Sequence, residues 1–422
     1  MSVRRMLCVA AALVAAMAPA AAWGEFKPMN KGGDNTENRT GLWFVVALGG
    51  PGKVLPLGAR IYATKDSVTD GVALRVDVRK GEKGTITYEN GPWPAGSAGI
   101  TLYAKASEPL DLTIKDKASF KVTPEWKKID LTWESLGTKP DKPDIGYQFA
   151  VSLAKPAEHD VWFIIDRVGT EGPAFDANPA ITPTAGPDET INTKDLVMGA
   201  ETLAPTLARL KEKKPFKIIA FGDSVTAGAQ ANRGNWALKP ADLVPCLYFA
   251  DLARQLEERY GYKGITPVQK GFGGWTADRA KTKMDEVFAE AGPDDVIIIE
   301  FGANDMGWAG KTPDQWLANV KILVDAAKKK TSQIVVMSPT TGGNVPKLAK
   351  EISEKLRAFA ASEQVAAADI TRWSMYRSEK YAWAYLANEY HPDIMGHVMI
   401  AEVLETLFGA PAFDWPPYAA KK

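Results

Sequence analysis

Chemistry in this chain of 422 residues concentrates at four short stretches. The first is Gly222-Asp-Ser224, which follows the apolar run Phe216–Phe221. The second is Lys270-Gly-Phe-Gly-Gly-Trp-Thr276, where small residues let the backbone come close to a ligand. The third is Gly302-Ala-Asn-Asp305, and the fourth runs from Asn388 through His391 to His397. A serine hydroxyl is inert near neutral pH unless a base lies within hydrogen-bond reach. The chain has three histidines, His159, His391 and His397. A lone serine in a polar loop is usually a turn or cap residue, so its partners decide what Ser224 does.

The elements that must position these stretches begin near Phe216. Apolar runs at 216–221, 265–268, 296–301, 334–337 and 365–368 alternate with helix-period segments. Phe249, Leu252, Ala253, Leu256 and Tyr260 share one helical face, as do Ile400, Val403, Leu404 and Leu407. Strands that are apolar throughout imply a sheet covered on both faces, hence a three-layer α/β/α domain with a parallel, doubly wound sheet over 214–411. In such folds ligands bind beyond the carboxyl ends of the strands, where the first three stretches fall.

The four stretches, in kind, order and spacing, resemble the SGNH (GDSL-type) hydrolase family of serine esterases. That resemblance implies a flavodoxin-like sheet and assigns roles residue by residue. Ser224 is the expected nucleophile and His391 its base. The expected oxyanion hole consists of the backbone N–H groups of Ser224 and Gly274, with Gly273 the near alternative, and the Asn304 side-chain amide. Asp223 is expected to support the nucleophile loop, and His397 is expected to be structural. The Gly-x-Ser-x-Gly elbow of α/β-hydrolases is absent.

The family places an aspartate three residues before the catalytic histidine, and this chain has Asn388 there. Three orienters of the imidazole stand open: Asn388 through its amide oxygen, Glu389, or a backbone carbonyl in a Ser-His dyad, with Asn388 favoured. The expected chemistry requires no metal and no organic cofactor.

Ahead of this domain the pattern has period two. Val72, Leu74, Val76 and Val78 alternate with Ala73, Arg75, Asp77 and Arg79; similar runs occur at 110–114, 149–153 and 161–165. With Gly/Pro turn clusters between them, these indicate an all-β sandwich over 25–170. Its closing segment, from Thr123 to Leu131 and from Val161 to Arg167, resembles the last strands of galactose-binding-like jelly rolls. That likeness implies a carbohydrate-binding module. Trp93, Trp126, Trp133 and Tyr147 are the aromatics that could stack on a sugar, against the plainer reading that large rings fill the core. His159, between Glu158 and Asp160, reads as a polar turn. Residues 171–213 read as a linker and a helical lead-in over 196–210.

Residues 1–22 carry Arg4-Arg5, a short apolar run and an Ala20-x-Ala22 cleavage signature, as in an export signal. The run is too short to span a bilayer. Of the two cysteines, Cys8 lies in that segment, and Cys246 is expected to sit buried on a helix. The 51 basic residues balance 51 acidic ones without a basic cluster, which argues against a nucleic-acid partner. The functions to weigh are therefore an exported esterase acting on an acylated carbohydrate, a lipolytic esterase or thioesterase, and a glycan-binding protein with an impaired esterase domain. Trp236, Trp275, Trp308 and Trp383 could line an acyl or a sugar groove alike.

Overall fold

The computed structural model describes residues 27–28, 41–45, 59–64, 66, 68, 73–78, 80–90, 99–114, 117–137, 148–170, 191–231, 243–340, 342–374, 390–412 and 414–415. Asn388, Glu389, Trp93, Tyr147, Trp236, Trp383 and residues 1–22 lie outside them.

The N-terminal described segments are strand-rich, as the period-two pattern requires. One antiparallel sheet has β3 (Ala59–Thr64), β4 (Ala73–Val78), β11 (Val161–Thr170), β6 (Gly99–Ala106) and β9 (Lys127–Thr132) side by side, with β1 (Lys27–Pro28) also on β11. A second has the order β2 (Gly41–Val45), β5 (Ile86–Asn90), β10 (Gln148–Leu153), β7 (Leu110–Ile114), β8 (Ala118–Val122). Val76 and Val78 are buried, while Arg75 and Asp77 face outward and pair at 2.8 Å. Of the candidate sugar platforms, Trp133 is a core residue. Trp126 is half-buried, donates to Asp66 at 3.3 Å and has the Lys105 ammonium over its ring. His159, in the bend before β11, meets Glu108 at 2.9 Å.

From Val197 the chain builds a six-stranded sheet. Its members are β13 (Val197–Met198), β14 (Phe216–Gly222), β15 (Ile265–Gly271), β16 (Val296–Glu300), β17 (Ile334–Met337) and β18 (Ala366–Ala368), in the order β13-β18-β17-β16-β14-β15. Alternate residues feed two cores on opposite faces. Ile218, Ala220, Val296 and Ile298 pack with the helices Tyr248–Tyr260 and Ile394–Leu407. Ile219, Phe221, Ile297 and Ile299 pack with the helices Pro313–Ala327 and Val345–Glu363. This two-sided burial is why the strands read as continuous apolar runs.

Three expectations are corrected. The sheet is mixed: five strands are parallel, but β13 runs antiparallel on β18 at the edge. The lead-in over 196–210 is not one helix. A 3₁₀ turn (Thr193–Leu196), β13 and a second 3₁₀ turn (Ala200–Leu203) precede the helix Ala204–Lys211. Gly199 breaks the segment with φ +69°; a Cβ there would meet the Val365 carbonyl oxygen at 2.4 Å, so the chain turns tightly against β18. β12 (Ile191–Asn192) pairs with β19 (Asp414–Trp415), tying the two ends of this region together. Cys246 sits half-buried at the end of a 3₁₀ helix (Val244–Cys246) rather than buried on an α-helix, and burial with the nearby Asp251 charge raises its thiol to about 11. It is a poor source of thiolate.

Candidate functional site

The strand order reverses at β14, which has β15 on one side and β16 on the other. Crevices form beyond the carboxyl ends of strands at such a point. Ser224 follows β14, Gly274 follows β15 and Asn304 follows β16, so three of the expected site residues come from adjacent strand ends.

The nucleophile loop is shaped by its neighbours. A Cβ on Gly222 would come within 2.1 Å of Thr226 Oγ1 and 2.6 Å of the Glu300 backbone oxygen, so only glycine fits. Asp223 is buried; its Oδ1 accepts from the Val225 N–H at 2.9 Å, closing an Asx-type turn around Ser224. The Ala227 and Ala229 N–H groups bond back to the Asp223 and Ser224 carbonyls at 3.0 and 2.9 Å. Ser224 is thereby left half-buried at the tip.

His391 stands on the short segment that enters the helix Ile394–Leu407, whose N-cap is Asp393. Its Nε2 lies 2.9 Å from Ser224 Oγ. The ring is half-buried, and desolvation holds its pKa below the ordinary histidine value, so the neutral, proton-accepting form is favoured. His397 is different. It is fully buried and stacks on Tyr248, its Nδ1 accepts from the Tyr248 N–H at 3.4 Å, and burial together with the His391 charge lowers it to about 3.

The glycine run after β15 makes a tight turn, closed by the Trp275 N–H on the Phe272 carbonyl at 3.1 Å. Gly274 takes φ +75° at the third position of that turn, as a type II turn requires. Among the described residues, no protein acceptor takes up the Ser224, Gly273 or Gly274 backbone N–H. After β16, Gly302 adopts φ +136° and the short helix Ala303–Gly307 begins. Asn304 Nδ2 donates to the Trp275 carbonyl at 2.9 Å and lies 3.3 Å from Asp223 Oδ2, linking all three strand ends. Asp305 is buried and braces the second turn by accepting from the Ala277 N–H at 2.9 Å.

Beneath the loop lies a polar cluster that sequence reasoning missed. Glu300 is fully buried; its Oε2 accepts from Thr226 Oγ1 at 2.9 Å and from the Asp223 N–H at 3.3 Å. Thr226 Oγ1 also meets the Tyr248 hydroxyl at 2.9 Å. Burial, then the neighbouring Asp223 charge, pushes Glu300 well above the usual carboxylate range. Burial is the main reason that Asp223 rises to about 7. Two carboxyls in one dry site cannot both ionise freely. The available signal was Glu300 itself, a lone acid closing the apolar run Val296–Phe301. Trp308 is a second omission as an Asn304 partner: its Nε1–H donates to Asn304 Oδ1 at 2.8 Å.

Residues 220–398 match the model of the GDSL-like Lipase/Acylhydrolase family, and so this region is a GDSL-type hydrolase domain. Solved structures with similarity to the chain include a lipolytic protein of the G-D-S-L family from Veillonella parvula DSM 2008. It is 16% identical over 46% of this chain and 100% of that one, with a TM-score of 0.36. Axe2, an acetylxylan esterase from Geobacillus stearothermophilus, is 21% identical over 46% of this chain and 95% of its own, with a TM-score of 0.38. A two-domain esterase active on acetylated mannans is 16% identical over 52% of this chain and 56% of that one, with a TM-score of 0.41. No curated protein matches the chain.

Proposed function

We propose that the GDSL-type hydrolase domain at residues 220–398 makes this chain an exported serine esterase that removes acetyl or similar small acyl groups from a carbohydrate. The observation that carries the reading is the 2.9 Å separation of His391 Nε2 and Ser224 Oγ. In this reading His391 takes the hydroxyl proton as Ser224 Oγ attacks the ester carbonyl carbon. The carbonyl π electrons move onto oxygen, and the tetrahedral oxyanion forms. Ser224 N–H, Gly274 N–H and Asn304 Nδ2 receive that charge; the two backbone donors have no protein acceptor among the described residues, which leaves them for it. Collapse breaks the bond to the sugar oxygen, and the His391 imidazolium returns a proton to the leaving alkoxide. Water, deprotonated by the same ring, then attacks the acyl-Ser224 carbonyl; the bond from the acyl carbon to Oγ breaks, the carboxylic acid leaves, and the imidazolium returns its proton to Ser224 Oγ.

Asn388 completes the scheme as the orienter of His391 through its amide oxygen. An amide positions the imidazolium but adds no charge to stabilise it, so Asn388→Asp preserves or raises the rate, and a large loss would exclude this role. Export rests on residues 1–22, with cleavage after Ala22. No helix among the described residues is long and apolar enough to cross a membrane. The N-terminal strands are proposed to serve as a jelly-roll module that holds the glycan.

The test is hydrolysis of p-nitrophenyl esters of increasing chain length, then of acetylated polysaccharides, by the wild type and Ser224→Ala. The reading expects preference for the acetate ester and acetate release from glycan, both lost in the variant. Preference for long chains would instead make it a lipolytic esterase. Absence of Ser224-dependent hydrolysis with glycan binding retained would leave only a binding protein.

A further inference from the structure

Asn304 is held by more than its own strand end. Its amide has three protein partners: Oδ1 accepts from Trp308 Nε1–H at 2.8 Å, and Nδ2 faces the Trp275 carbonyl at 2.9 Å and Asp223 Oδ2 at 3.3 Å. Indole N–H is a donor only, whereas a carbonyl and a carboxylate only accept. The amide therefore has one sense. Turned over, it would set Nδ2 against the indole N–H and Oδ1 against two other oxygens. The Trp275 carbonyl occupies one Nδ2 hydrogen at 2.9 Å; the second makes only the longer 3.3 Å bond to Asp223 Oδ2, on the nucleophile side, and it is this hydrogen that an oxyanion formed at Ser224 would draw away from Asp223.

Trp308 is placed oddly for a residue with such a bond. It ends the short helix Ala303–Gly307, four residues after Asn304, and is 65% exposed. Its ring is not there to fill the core. What its side chain gives the protein is the indole N–H bond to Asn304 Oδ1. A hydrogen bond to an amide oxygen also draws electron density from nitrogen, which strengthens the remaining N–H as a donor.

We propose that Trp308 is a positioning residue of the oxyanion hole: its indole N–H fixes and polarises the Asn304 amide so that Nδ2–H is presented to the oxyanion. This inference rests on the esterase reading above, since it acts only through Asn304 in that role. It places part of the transition-state machinery on an exposed side chain, where a ring that served solely as a sugar platform would act on substrate binding.

The experiment is a double-mutant cycle on p-nitrophenyl acetate with wild type, Trp308→Phe, Asn304→Ala and the double variant, with Ser224→Ala as the blank. Phenylalanine keeps an exposed ring and removes the N–H. Losing one hydrogen bond of ordinary strength that acts in the transition state lowers kcat about 5- to 10-fold. The expected result is that loss in Trp308→Phe, with KM within about twofold of the wild type and an unchanged melting midpoint. In the Asn304→Ala background the same substitution has no further effect on kcat, because its target is gone. Wild-type kcat in Trp308→Phe, a change confined to KM, or the same loss with and without Asn304 would overturn the proposal while leaving the esterase reading intact. A wild type no faster than Ser224→Ala would overturn both.

Discussion

At the scale of residues, the chemistry depends on one close pair and on groups that hold it. His391 could be matched to Ser224 from sequence because the motifs name them, but the 2.9 Å contact could not be read there. Glu300 was illegible for a physical reason. A carboxyl at the end of an apolar strand reads as a strand boundary, and its burial follows only from the turn that folds Thr226 back over it. Since burial raises Asp223 to about 7 and holds Glu300 well above the ordinary carboxylate range, the folded state keeps protons that the unfolded chain releases near that range. These two groups then bind more protons in the folded form than in the unfolded one over that interval, so their contribution to stability falls as pH rises from about 4 through about 7. The two groups titrate as a pair. Between pH 5 and pH 8 the melting midpoint of the wild type is expected to fall relative to that of Glu300→Gln, whose side chain keeps an acceptor for Thr226 and stays neutral. Glu300→Ala removes that acceptor and costs about 2 kcal/mol. An equal fall with pH in the wild type and Glu300→Gln would show that the cluster does not titrate this way.

At the scale of elements, the sheet was legible because two-sided burial writes itself as unbroken apolar runs. Ile334–Met337 was read with the boundaries it has, and the strands around it to within a few residues. The antiparallel edge strand Val197–Met198 was not, since two residues carry no periodicity and only their pairing with Ala367 and Ala368 makes them a strand. The same lesson holds at Gly222. Its identity looked like part of a motif, yet the structure gives it a steric reason: a methyl group there would strike Thr226 Oγ1 and Glu300. Gly222→Ala is therefore expected to destabilise the protein by about 1–3 kcal/mol. It should also displace the loop enough to remove most Ser224-dependent hydrolysis. Retention of both the melting midpoint and the rate would mean that the loop relaxes freely and that the close packing there is unimportant.

At the scale of the whole molecule, the N-terminal strands are two antiparallel sheets, and the family match begins only at residue 220. The proposed glycan binding there rests on a strand pattern and a likeness, and its candidate aromatic rings divide. Trp133 is core, Trp126 is partly covered by Lys105, and Trp93 and Tyr147 lie outside the described residues. Composition could not sort them, because a ring that stacks on sugar and a ring that fills a core are the same residue type. In the full-length Ser224→Ala protein, affinity electrophoresis through gels containing acetylated polysaccharide is expected to show retardation that survives loss of catalysis. Unretarded migration across a panel of such glycans would remove the binding role from these strands.

The proposed function requires that Ser224 be a nucleophile activated by His391. Labelling with a serine-directed fluorophosphonate, followed by peptide mass analysis and a rate profile against pH, tests it most directly. One modified peptide is expected, carrying Ser224, with no label in Ser224→Ala and strongly slowed labelling in His391→Ala. Protonated His391 cannot accept the serine proton, so the rate is lost as pH falls through its pKa; because burial lowers that pKa, the acid limb lies below the ordinary histidine value. Label on another residue, or equal rates in the wild type and His391→Ala, would show that Ser224 is not a nucleophile activated by His391.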